Sequence, residues 1–231
     1  MPHLPGEPPL TITLRRSARA RRFSLRVSRL DGRITLSLPP SARESEAMAF
    51  LRAQEGWLRR ALAGLAPQIP VGPGALIPVE GRLLRLVPAT GRLIRIEGDD
   101  LMIPGDPALA GAAVRGYLRH LARERLTAAS DRHAAALGRA YARITLRDVR
   151  SRWGSCTADG ALMYSWRLVM APPAVLDYVA AHEVAHLAQM NHSPAFWVVV
   201  ARLVPQYKAH RRWLRESGQA LHGYRFAPKG D

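Results

Sequence analysis

At 231 residues the chain is long enough to bury a sizeable core, as one large domain or as a small one joined to a larger one, and its composition excludes a disordered or fibrous protein. A single cysteine, Cys156, rules out an intramolecular disulfide and a disulfide-stapled secreted scaffold, so a reducing cytoplasm is the expected setting. The formal net charge is +16, carried almost wholly by arginine, and no uninterrupted apolar run reaches membrane-spanning length, so no membrane partner is expected.

The first nine residues lack a basic stretch followed by an apolar one, so no secretory signal is expected. Residues 11–38 alternate in two runs, Phe23-x-Leu25-x-Val27 and Ile34-x-Leu36-x-Leu38, and Asp31-Gly32 between them predicts a hairpin. Ser41 is placed to cap a helix to about residue 65, with Phe50, Leu51, Trp57, Leu58 and Leu62 at helical spacing. Residues 67–78 read as a Pro/Gly-rich connector. Strands are predicted at 83–87, 93–96 and 101–103, and Asp106-Pro107 opens a long helix to about residue 136. Residues 143–150 and 161–169 read as strands either side of a Trp153-Gly154-Ser155-Cys156 loop, and three helices close the chain.

The chemistry concentrates in His182-Glu183-Val184-Ala185-His186, with His192 six residues further on. Two histidines four apart on a helix project from one face about 6 Å apart along the axis, so both can reach one tetrahedral Zn²⁺. Glu183 then stands beside the metal, where it can take a proton from a zinc-activated water. The bland alternative is a pair of polar residues on an amphipathic turn. It fits poorly, because residues 174–181, Leu187 and Ala188 are largely apolar and an unpaired imidazole among them would be costly to desolvate.

A third ligand follows by elimination. After His192 the only acidic residues are Glu216 and Asp231, so histidine is the better supply. The chain must bend between His186 and His192; Asn191 tolerates a left-handed helix end, and Ser193-Pro194 reads as the N-cap and first-turn proline of the next helix. The resulting spacing is that of metzincins, although Gln189 stands where they place glycine, and no membership follows from spacing alone.

Beyond this motif the chain resembles the YgjP-like zinc metallopeptidases, often grouped with SprT-like proteases. The resemblance is carried by Arg152-Trp153-Gly154-Ser155-Cys156, Trp166-Arg167-Leu168, Pro172, Asp177-Tyr178-Val179, His182-Glu183-x-x-His186-Leu187, Asn191-His192-Ser193-Pro194-x-Phe196-Trp197, Pro205-x-Tyr207-Lys208 and Trp213-Leu214. It departs at Ser165, where asparagine is usual, and at Gln206, where aspartate is. The resemblance implies metal ligands at His182, His186 and His192 and a catalytic base at Glu183.

The fold expected is α+β: a zincin-like hydrolase domain over 77–231 with flanking strands, preceded over 1–76 by a basic β-hairpin and helix region. One Zn²⁺ per chain is expected, with a protein or peptide as substrate. Strand 161–169 is the candidate edge that an extended substrate would pair with, Tyr164, Ser165 and Trp166 lining the cleft and Tyr207 nearby, although core packing is the commoner fate of Trp153 and Trp166. Tyr207, His210, Tyr164 and Arg152 are the candidates to stabilise an oxyanion. Cys156 reads as a buried structural thiol rather than a nucleophile. His120, His133 and His222 lack ligand spacing and read as solvated or structural.

Two other functions stay open. Phosphoanhydride hydrolysis of a nucleoside triphosphate would use the same activated water. A non-catalytic, zinc-stabilised nucleic-acid-binding protein is disfavoured by Glu183, since a closed structural site has no use for an adjacent base. The arginines clustered from Arg15 to Arg33 and from Arg202 to Arg215 make nucleic acid or a nucleotide a candidate partner, beside the equally open reading that arginine serves only as a solvated cation.

Overall fold

The computed structural model describes residues 3–28, 32–63 and 68–226, and the chain packs as two units, Met1–Gln68 and Ile69–Asp231. In the first, β1 (His3–Leu4), β2 (Leu10–Arg16), β3 (Ser24–Val27) and β4 (Ile34–Leu38) form a sheet in the order β1-β2-β4-β3. β2 and β4 run parallel, while β1 on β2 and β3 on β4 are antiparallel. Asp31 lies outside the described residues; Gly32 follows it at φ 70°, a region open to glycine without strain.

Alternation along these strands places Leu10, Ile12, Ile34, Leu36 and Leu38 on one face, where they are buried with Ala47, Leu51 and Leu58. Those last three come from two helices, α1 (Glu44–Ala53) and α2 (Glu55–Ala63), not from the one helix the sequence suggested. The N-cap is Arg43 rather than Ser41: its N–H donates to the Glu46 carboxylate at 3.0 Å. The helix breaks at Gln54, two residues before Gly56, a weak helix former.

The second unit begins inside the expected connector, which supplies β5 (Ile69–Pro70) and β6 (Leu76–Val79); Pro67 lies outside the described residues. With β7 (Arg82–Ala89), β8 (Arg95–Glu97) and β9 (Asp100–Pro104), β6 builds a sheet ordered β6-β7-β9-β8. β7 and β9 are parallel and the outer pairs antiparallel. This is the topology of the first sheet repeated.

The long helix α3 (Ala110–Leu137) starts through a 3-10 turn at Pro107–Leu109, where the Asp106 carboxylate accepts from the Ala108 N–H at 2.9 Å. Gly138 ends it at φ 64°. Next come β10 (Arg143–Arg147), β11 (Gly154–Cys156) and β12 (Ala161–Ser165) in the order β10-β12-β11. Two expectations change here. The Trp153–Cys156 loop is largely a strand, and residues 166–169 leave the sheet as a buried 3-10 helix, Trp166–Met170. That turn carries Arg167 inward, where it pairs with Asp148 at 2.7 Å and donates to the Leu221 and Tyr224 carbonyls at 2.8 and 3.1 Å.

α4 (Pro173–Ala185) lies against α3 within the main core and is apolar on nearly every side, as a helix enclosed by other elements must be. α5 (Pro194–Leu203) and α6 (Tyr207–Glu216) follow, and a third 3-10 stretch, Gly218–Gly223, leads to β13 (Tyr224–Arg225), which pairs in parallel with β5. Among the described residues no helix is long and apolar enough to cross a membrane.

Candidate metal centre

His182 and Glu183 lie in the last turn of α4, and His186 is its C-cap with φ −64° and ψ −21°. The chain then tightens: Gln189 N–H returns to the Ala185 carbonyl at 3.0 Å. Asn191 is not left-handed, since Glu80 is the only non-glycine residue with positive φ among those described. The turn is made instead by the Asn191 side chain, whose Oδ1 accepts from the Ser193 N–H at 3.2 Å. Ser193 caps α5 and Pro194 occupies its first turn.

This bend returns His192 to α4. One ring nitrogen from each of His182, His186 and His192 lies within 4.8 Å of the others, and the Nε2 atoms of His192 and His182 are 3.1 Å apart. The His186 ring is fixed by its Nδ1, 3.0 Å from the Gln189 carbonyl. A carbonyl only accepts, so Nδ1 carries the proton and Nε2 keeps its lone pair for a cation. Phe196, placed by the first turn of α5, stacks on His186 at 4.5 Å and meets His182 edge-on at 4.9 Å.

Burial pushes the His182 imidazole down to about 3, with His186, His192 and Arg211 adding to it, and burial also lowers His186. Both rings therefore stay neutral near pH 7, the form that ligates metal. Three imidazole nitrogen donors converging at the end of an apolar helix fit a tetrahedral cation such as zinc.

Glu183 is buried, and burial raises its carboxyl to about 8, with Arg152 pulling the other way. It sits against Gly154: a Cβ there would lie 2.5 Å from Oε1. The edge strand β11 thus runs beside this buried carboxylate. Nothing in the sequence motif announced that role for Gly154, although its glycine identity was the available signal.

Residues 161–169 do not form an edge. β12 is the middle strand, paired with β10 on one side and β11 on the other. Tyr164 is fully buried, its hydroxyl 3.0 Å from Ser130 Oγ; Ser165 is fully buried as well; and Trp166 packs edge-on against Phe226 at 5.2 Å. Tyr207 is half-buried, stacked on Trp197 at 5.3 Å and on Tyr178 at 6.5 Å. Arg211 caps the other ring of that stack, 4.8 Å from the centroid of Trp197. Arg152 is exposed and His210 lies 6.3 Å from Tyr178. Cys156 is half-buried, and burial with the charges of Glu183 and Asp159 pushes its thiol up to about 11, which makes it a poor nucleophile.

Converging imidazoles with a buried carboxylate on the next residue are the donor arrangement that metal-dependent hydrolases use. The chain belongs to the YgjP-like metallopeptidase family, whose domain matches residues 21–217. No curated protein sequence matches it. A solved structure, the metallopeptidase zymogen abylysin of Pyrococcus abyssi, is similar over 41% of this chain and 96% of its own, at 18% identity and a TM-score of 0.37.

Proposed function

We propose that the chain is a zinc-dependent peptidase whose Ile69–Asp231 unit holds one Zn²⁺ through His182, His186 and His192 and uses Glu183 as general base. The observation that carries the reading is the convergence of the three ring nitrogens within 4.8 Å on the helix turn that bears a buried carboxylate. Zinc, when bound, supplies a Lewis acid and acidifies water. Glu183 receives the water proton on a carboxylate oxygen and returns it to the leaving nitrogen. A cation beside it favours its anionic form and so opposes the effect of burial.

The substrate's extended backbone pairs with the free edge of β11, which offers main-chain groups from Gly154 to Cys156 next to Glu183. Pairing through main chain gives weak sequence preference. Tyr207 lines the α6 side of the centre, while Tyr164, Ser165 and Trp166 hold β12 in place from within. A single cysteine, with no second one to form an intramolecular disulfide, supports a reducing compartment such as the cytoplasm.

The test is incubation of zinc-loaded protein, and of Glu183→Gln, with casein, a quenched peptide library and a nucleoside triphosphate panel. Peptide cleavage that is lost in Glu183→Gln while zinc is retained is the expected result. Release of pyrophosphate or phosphate from nucleotides without peptide cleavage would replace this reading by phosphoanhydride hydrolysis.

A further inference from the structure

The two four-stranded sheets share one topology but treat their arginines differently. In the second sheet each exposed arginine meets a carboxylate: Arg85 faces Asp100 across β7 and β9 at 3.0 Å, Arg82 reaches Asp99 at 3.1 Å, and Arg95 bonds Glu97. In the first sheet the strand register sets Arg15, Ser37 and Ser24 side by side in one row and Thr13, Thr35 and Arg26 in the next. These rows lie on the face opposite Ile12, Ile34 and Leu36. All of their residues but Thr13, together with Ser28 and Arg33, line a groove of about 460 Å³. Arg15 and Arg26 form no ion pair with any described residue.

Among the described residues, every side chain lining this groove is arginine, serine or threonine. Guanidinium forks and hydroxyls are donors matched to phosphate oxygens. Among the described residues the groove has no apolar side chain to enter a lipid surface or to form the dry centre of a peptide interface. Nor do the described residues lining it include an aromatic ring on which a base could stack. We propose that the outer face of the β1–β4 sheet binds nucleic acid through its phosphate backbone, without reading sequence. The site lies in the first unit, and its chemistry is independent of the metal centre in the second.

The experiment is fluorescence anisotropy of full-length protein with a labelled mixed-sequence 20-nucleotide single strand, titrated across salt concentrations. Arg15→Gln/Arg26→Gln should lower affinity at least tenfold near 0.1 M salt and reduce the slope of log K against log salt by about 1.4, at roughly 0.7 per lost phosphate contact. Arg15→Lys/Arg26→Lys should recover most of the affinity. Arg115→Gln/Arg119→Gln removes the same charge from the exposed side of α3 and should stay within twofold of the original. Unchanged unfolding midpoints and zinc content establish that the variants fold, and casein cleavage reports the peptidase reading separately. Wild-type binding by Arg15→Gln/Arg26→Gln would overturn the proposal. So would an equal loss in the α3 variant, which would mean diffuse charge, or arginine-dependent capture of phosphatidylserine vesicles without oligonucleotide binding.

Discussion

Gly154 on β11 and Glu183 on α4 are in such close contact that a Cβ at residue 154 would lie 2.5 Å from Oε1, 2.6 Å from Cγ and 2.8 Å from Cδ of the glutamate. The backbone at Gly154 does not occupy the left-handed region, so alanine is excluded by the carboxylate and not by strain. Gly154→Ala is therefore a steric probe of Glu183 alone. It should retain one zinc per chain while kcat for peptide cleavage falls about 10²-fold, the scale of a displaced general base. Full activity would mean that the carboxylate has other room, or that it is not the base.

Removing a ligand should separate metal binding from proton transfer. His192 comes from the turn after α4 and supplies one of three nitrogens, so His192→Ala leaves a two-histidine site on one helix. Zinc affinity, measured by competition with a chelator, should drop at least 10²-fold. Glu183→Gln should keep zinc and lose hydrolysis by 10²-fold or more. Equal loss of metal in both variants would make Glu183 a structural part of the site.

How much of this was legible in the sequence depends on the range over which each signal acts. The i, i+4 histidines and Ser193-Pro194 are local patterns, and the bend returning His192 to the helix follows from them even though an Asn191 side-chain turn replaces the left-handed residue. The middle position of β12 is a non-local fact: alternating apolar residues cannot say which strand lies on either side, and so Tyr164 and Ser165 read as cleft residues when they are interior. The inward turn of Arg167 was equally hidden, because an arginine beside a tryptophan reads as exposed until its acid partner, Asp148, is brought to it from 19 residues away.

Arg167 joins three parts of the second unit, and its loss should loosen one of them first. It makes two bonds to Asp148, at 2.7 and 3.1 Å, and donates to the Leu221 and Tyr224 carbonyls from a side chain only 7% exposed. Burial by itself would raise the Asp148 carboxyl, but the Arg167 hydrogen bonds and charge outweigh it, and the net shift is downward. Stability from this pair is thus present above the ordinary aspartate pKa and is lost as pH falls through the lower folded value. Arg167→Met should destabilise by about 3 kcal/mol, since it leaves two buried carbonyls without donors. Hydrogen exchange should quicken first between Gly218 and Arg225; exchange that rises evenly across the unit would deny Arg167 this tethering role.

His222 gives the second unit an acid-sensitive point outside the His182, His186 and His192 cluster. It is buried and stacked on Trp153 at 5.0 Å, and its Nδ1 has no hydrogen-bond partner among the described residues. Burial, then the Arg167 charge, pushes the imidazole down to about 4, with Asp148 opposing and Arg150 adding to the shift. The unfolded chain takes up the proton first, near pH 6.5, because its histidine is solvated. Stability is consequently complete above about pH 6.5 and declines as pH falls toward 4, where the folded form begins to protonate. His182 contributes a slope of the same sign in metal-free protein, so the wild type must be compared with His222→Phe, which keeps the ring against Trp153 but cannot titrate. Denaturant unfolding of the two metal-free proteins from pH 7.5 to 4 should show the wild type losing about 1–3 kcal/mol more than the variant. Parallel curves would mean that His222 is protonated in the folded chain as readily as in the unfolded one.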